Sequence, residues 1–267
     1  MSTRTVSSAD GTTLAHERFG DGPPVVLVGG AMSARGAGEP LARQLAGLGM
    51  SGVVYDRRGR GDSGDTLPYA PEREAEDLAA VVGALAAQEG GGAVYVCGVS
   101  SGGIVALNAA ARGDRAFERL VLFEPPFTGA AGQPQASSHA AHLAELVGEG
   151  RRAEAVAYFM AEIVGLPPQA VDGARQSPAW GEMQKLAHTL VYDTTLLGDA
   201  DLPADTLAAA DLPALVLSSE ASTPVLREAA RATADALPHG GHRALAGAFH
   251  HVPPEQLAPV VRDFLLA

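Results

Sequence analysis

The chain alternates between short, wholly apolar runs and longer stretches in which apolar residues recur every three to four positions. The apolar runs are Pro24–Val28, 53–55, 93–97, 120–123 and 214–217. None shows the polar alternation of a half-exposed strand, so each reads as a parallel strand covered on both faces. Between them the periodicity predicts helices over 40–48, Pro71–Gln88, 103–112 and 224–237. Strand then helix, repeated, predicts a parallel sheet with helices on both sides. Two further strands, Arg4–Ser7 and Thr13–Phe19, are joined at the turn dipeptide Asp10-Gly11. A last strand over 242–245 precedes a helix over 254–266.

One stretch breaks this rhythm. From about 128 to 211 no strand pattern occurs, while helical patterns cover 139–147, 152–164 and 181–197. Gly165-Leu166-Pro167-Pro168 and Pro178 interrupt them. The expected organisation is therefore a core made of residues 1–127 and 212–267, with 128–211 inserted as a helical cap.

Composition narrows the partners. The 267 residues are 46% hydrophobic and 19% charged, enough apolar material for a sizeable core. A formal charge of −12 argues against nucleic acid and anionic membrane surfaces, which need clustered Lys and Arg. A small molecule is the expected partner, and a homodimer stays open. A lone cysteine, Cys97, excludes an intramolecular disulfide and fits a reducing compartment. The first residues, MSTRTVSSADGTTL, lack the apolar stretch of a signal peptide, and no segment approaches the ~20 apolar residues of a membrane span. A cytoplasmic location is the expectation.

Chemistry concentrates at Gly98-Val99-Ser100-Ser101-Gly102-Gly103, between an apolar strand and a helix. So tight a strand-to-helix turn leaves little room beside the serine, hence glycine two positions either side. Ser100 then stands exposed at the positive end of the helix. Ser101 is the weaker candidate, because Val99 occupies the position two before it. A serine hydroxyl needs a base, and the loop before the closing helix supplies His250, with His251 as its rival. No cluster of Cys, His and carboxylates has metal-ligand spacing, and Gly59, Gly61 and Gly64 lack a phosphate-binding fingerprint, so no cofactor is implied.

These motifs resemble the α/β-hydrolase superfamily over nearly the whole chain. Val25–Ala31 resembles the family's strand and oxyanion loop, with Gly29 where histidine is usual. Tyr55–Ser63 resembles its D-x-R-G-x-G-x-S turn, and Phe249-His250 with Glu255 resembles its histidine loop. The resemblance implies a three-layer α/β sandwich with a mostly parallel eight-stranded sheet and the cap inserted after its sixth strand. It implies an oxyanion hole from the backbone N–H groups of Ala31 and Ser101, and a structural role for Asp56 and Arg57. Candidate substrate contacts are Gly30 and Met32 on the loop, and Trp180, His188 and Tyr192 in the insertion.

The acid departs from the family's common pattern. Its usual position, after the strand at 214–217, is Ser222 here, with Glu220 nearby. Haloalkane dehalogenases place the acid one strand earlier, where this chain reads Phe123-Glu124-Pro125-Pro126. A charge terminating an apolar strand suits the task of orienting a histidine, so Glu124 is preferred to Glu220. The resemblance thus implies an esterase-like serine hydrolase of an ester, lactone or thioester, using Ser100, His250 and Glu124. Two other classes stand beside it: a lyase, isomerase or cyclase using the same groups for acid–base work, and a catalytically silent ligand-binding protein.

Overall fold

The computed structural model describes residues 3–113, 117–129 and 136–267. Eight strands form one sheet: β1 (Arg4–Ser7), β2 (Thr13–Phe19), β3 (Pro24–Val28), β4 (Ser51–Tyr55), β5 (Tyr95–Val99), β6 (Arg119–Phe123), β7 (Ala214–Ser219) and β8 (Gly240–Leu245). Their order is β1-β2-β4-β3-β5-β6-β7-β8. β1 and β2 pair antiparallel, as do β2 and β4, and every other pairing is parallel. β3, β4 and the centre of β6 are buried throughout, as two-sided coverage of an apolar run requires.

Helices cover both faces. α1 (Glu39–Gly47) and α11 (Pro254–Leu265) seat Leu45, Leu257 and Val261 against Val25, Val54 and Val121. On the other face α2 (Pro71–Gln88), α3 (Ser101–Ala111) and α10 (Pro224–Ala236) pack Leu78, Ile104 and Ala230 against Val26, Val53 and Val216. The result is an α/β three-layer sandwich. α4 (Ala136–Gly148), α5 (Arg152–Tyr158), α6 (Pro168–Arg175), α7 (Trp180–Lys185), α8 (Thr189–Leu197) and α9 (Ala204–Ala209) all lie between β6 and β7. They carry an apolar cluster of their own, including Leu143, Val156, Phe159 and Leu190.

Three expectations are corrected. β5 runs to Val99, two residues beyond the expected end, and α3 starts at Ser101, two before the expected 103. The turn between them is a single residue, Ser100, so the motif belongs to the strand and the helix themselves. The helix expected over 181–197 is split, because Arg152 donates to the carbonyls of Gln184 (3.2 Å) and Lys185 (3.0 Å) and ends α7 there. Pro168, read as an interruption, opens α6, its fixed φ and missing N–H suiting a first helical turn. No helix among the described residues is long and apolar enough to cross a membrane.

Backbone approach is closest where α1 crosses β4. A Cβ on Gly52 would lie 2.4 Å from Ala42 Cα and 2.6 Å from its Cβ. Gly52→Ala is therefore expected to cost about 1–3 kcal/mol, read as a lower urea midpoint at unchanged slope.

Candidate active site

The site begins with a lack of space. A Cβ on Gly98 would sit 2.6 Å from the Gly102 carbonyl oxygen, and one on Gly102 would sit 2.3 Å from that of Val28. With both positions reduced to backbone, α3 starts directly against β3 and β5. Ser100 occupies the apex with φ 52° and ψ −125°. Its N–H donates to Phe123 O (3.0 Å), tying the apex to the end of β6, and its carbonyl accepts from Gly103 N (2.8 Å).

The next residue on β6 is Glu124, fully buried. Its N–H donates to Leu217 O on β7 (2.9 Å). The carboxylate collects its partners from two loops. Oε1 accepts from Ser219 N (2.8 Å) and Ser222 Oγ (2.5 Å), and Oε2 accepts from His250 N (2.8 Å). His250 Nδ1 lies 2.6 Å from Oε2, close but off the alignment of a full hydrogen bond. Burial alone would push the Glu124 pKa up, but the His250 ring, the Ser222 hydroxyl and the two backbone N–H groups outweigh it and hold the carboxyl at about 2. Ser222, at the position where the acid is commonly found, thus hydrogen-bonds the carboxylate that stands one strand earlier. Glu220 is exposed and outside this group.

His250 is placed by a tight turn. Ala248 and His251 exchange both backbone hydrogen bonds (3.0 and 2.9 Å), leaving Phe249 and His250 at the corner with His250 at φ 47°. Ala221 N donates to Gly247 O (2.9 Å), fastening the loop to the end of β7. His251 is exposed and, among the described residues, meets no carboxylate, whereas His250 does. Ser100 and His250 make no direct hydrogen bond; both line one cavity of about 750 Å³. Ala31 and Ser101 line it as well, and neither backbone N–H finds an acceptor among the described residues.

Strain marks the same place. The described non-glycine residues with positive φ are Met32, Ser100, Glu124, Ala200 and His250. Four of them line the cavity and the fifth is the buried carboxylate. Side chains rarely adopt this backbone region, and such residues collect at functional sites.

Of the expected substrate contacts, Gly30 and Met32 line the cavity, whereas Trp180, His188 and Tyr192 do not. His188 Nε2 meets Gly59 O (2.9 Å), Tyr192 stacks on Tyr69 with ring centroids 4.1 Å apart, and Tyr192 OH donates to Asp65 (2.9 Å). Trp180 packs in the apolar cluster of the helical segment. Their helical spacing could not tell an inward core face from a cavity wall. Phe159, Met160 and Ile163 on the continuation of α5, together with Leu197 at the end of α8, line the cavity instead.

The D-x-R turn holds more charge than its pattern suggested. Arg57, Arg58, Arg60, Glu74, Asp77 and Asp193 are all at most 2% exposed. Arg57 bridges Glu74 (2.5 and 2.7 Å) and Asp193 (3.0 Å), and Arg60 grips both Asp193 oxygens (2.9 and 2.8 Å). Burial would raise the Asp193 pKa, but Arg60, Arg57 and the Ser101 hydroxyl keep it below the ordinary value. Asp56, also buried, accepts from Arg35 N (2.7 Å), Asp62 N (3.0 Å) and the Arg35 guanidinium. Asp193 was absent from the residues read off the sequence, although a lone acid in the run Leu190-Val191-Tyr192-Asp193 was a visible signal. Cys97 is buried, which pushes its thiol up to about 12 and leaves it unreactive.

A mostly parallel sheet, a half-buried serine at a one-residue turn between strand and helix, and a carboxylate-held histidine on the loop after β8 define an α/β-hydrolase. The chain belongs to the family of the serine aminopeptidases, S33, whose model matches residues 23–256. It is 46% identical to an α/β hydrolase of Sphaerobacter thermophilus, with a TM-score of 0.90 over 98% of this chain and 99% of that one. It is 35% identical over 125 residues to N-formylmaleamate deformylase of Pseudomonas putida, a stretch that covers 46% of this chain and about half, 45%, of that protein. An esterase of a Rhodococcus species, 23% identical with a TM-score of 0.71 over 100% of this chain and 99% of that one, shares the fold.

The pKa of Glu124 sets an acid limit. A carboxyl lowered from 4.5 to about 2 on folding stabilises the protein above pH 4.5 and loses that contribution as pH falls towards 2. Urea unfolding between pH 6 and pH 3 is expected to show Glu124→Gln less stable at pH 6, with its deficit shrinking as the medium becomes acid.

Proposed function

We propose that this protein is a serine hydrolase that cleaves an ester, lactone or thioester of a small or medium-sized metabolite through a covalent acyl-enzyme. The observation that supports it most is the strained Ser100 apex sharing one cavity with a histidine held by a fully buried carboxylate. Ser100 Oγ attacks the carbonyl carbon while His250 Nε2 takes its proton. Glu124, ionised throughout, keeps the ring's Nδ1 protonated and balances the imidazolium that forms. The oxyanion receives the N–H groups of Ala31 and Ser101, two donors without an acceptor among the described residues. Collapse returns the proton from His250 to the leaving oxygen or sulfur. Water, deprotonated by His250, then attacks the acyl carbon and releases Ser100.

Helices α4–α9 act as a cap in this reading, with Phe159, Met160 and Leu197 forming part of the cavity wall. The same groups can open a C–N bond, as the names of the family and of the deformylase relative suggest for those proteins.

An alkyl fluorophosphonate is expected to label the protein stoichiometrically, with the label lost in Ser100→Ala. His250→Ala should lower p-nitrophenyl butyrate hydrolysis by about 10³-fold or more and Glu124→Gln by about 10²-fold or more, while His251→Ala stays within a few-fold. Labelling elsewhere than Ser100, or a larger loss in His251→Ala than in His250→Ala, would sink the assignment.

A further inference from the structure

We propose that the cavity selects substrates without charge, rejecting both carboxylate-bearing and ammonium-bearing molecules; the inference rests on the proposed function and names its substrate class. The cavity wall carries five charged or histidine side chains among the described residues: Arg35, Arg57, Asp193, His250 and His251. Each of the first three is already committed inside the protein. Arg35 faces three carboxylates, donating to Glu17 (3.0 Å), Asp62 (2.7 Å) and Asp56. Arg57 is divided between Glu74 and Asp193, and Asp193 is held by two arginines. An incoming carboxylate meets no uncommitted cation, and an incoming amine meets no uncommitted acid. The rest of the described wall is uncharged and mostly apolar, with Leu27, Met32, Phe123, Phe159, Ile163 and Leu226 among it. Burying an unpaired charge against such a surface is costly enough to outweigh the apolar contact that the remainder of the substrate gains.

Three alkyl fluorophosphonates of equal chain length, ending in methyl, carboxylate or ammonium, test this at pH 8. The methyl probe is expected to inactivate the protein more than about tenfold faster than either charged probe. Equal rates, or a faster charged probe, overturn the selection alone. Inactivation by none of the three overturns the hydrolase reading beneath it.

A different observation carries a second inference on the same reading: Arg60 and Asp193 are positioning residues that aim the two oxyanion donors. Arg60 Nη1 donates to Gly30 O (2.7 Å), the carbonyl of the peptide unit whose N–H belongs to Ala31. A planar trans peptide points its N–H opposite its C=O, so anchoring that oxygen on the protein side turns the Ala31 N–H towards the cavity. Ser101 Oγ donates to Asp193 (2.8 Å) and accepts from Arg57 (3.1 Å), which fixes the residue supplying the other donor. Asp193 comes from α8, so a helix of the inserted segment sets the geometry of a site built on β3 and β5.

With p-nitrophenyl butyrate, Arg60→Lys, Asp193→Asn and Ser101→Ala are expected to lower kcat, by about 10²-fold for the charged positions and about tenfold for Ser101, with KM nearly unchanged. Ser101→Ala strands no charge and keeps the backbone donor, so it remains informative if the other two fail to fold. Unchanged kcat in Ser101→Ala, or a loss confined to KM, overturns the assignment.

Discussion

A methyl group on Gly102 would lie 2.3 Å from the Val28 carbonyl oxygen, and one on Gly98 would meet Gly102 at 2.6 Å. That intolerance governs the centre of the molecule. Because β3, β5 and the start of α3 touch backbone to backbone, a single residue must carry the chain from strand to helix, and Ser100 takes positive φ to do so. Its N–H reaches Phe123 O, which sets the height at which β6 ends. Glu124 is the next residue, so the acid's position follows from the elbow's geometry as much as from its own strand.

The carboxylate then organises what surrounds it. Four polar groups from the ends of β7 and β8 converge on Glu124, and together they overcome the penalty of burying its charge. Ser222 is part of that set, which explains how a serine can stand where relatives commonly carry an acid. The Ser222 hydroxyl donates to the carboxylate that stands at the end of the neighbouring strand.

A second buried charge system lies under the loop that follows β3. Arg57 and Arg60 from the turn after β4, Glu74 from α2 and Asp193 from α8 are paired almost completely, and their remaining N–H groups reach Gly29 O and Gly30 O. Such a system is seldom the most stabilising filling for a core. It does join three elements distant in sequence to two adjacent peptide units, with directional bonds that apolar packing cannot supply. It also commits Arg57 and Asp193, two charged residues of the cavity wall, to partners inside the protein.

The strand order's raw material and the elbow were legible because buried parallel strands are uniformly apolar and because Gly-x-Ser-x-Gly answers a local steric need. Glu124 was legible as a charge closing an apolar strand. The helical segment was legible only as helical: one face of Tyr192 or Trp180 has the same periodicity whether it meets a neighbouring helix or a cavity, and both met protein. Asp193 showed itself as an isolated acid, yet its partners lie more than 130 positions away, at Arg57 and Arg60. Local pattern determined the elements and the nucleophile's turn, since those depend on neighbours in the chain. Only the tertiary structure decided which histidine meets a carboxylate, which side chains wall the cavity and which charges are spent, since those depend on groups that folding alone brings within hydrogen-bond reach.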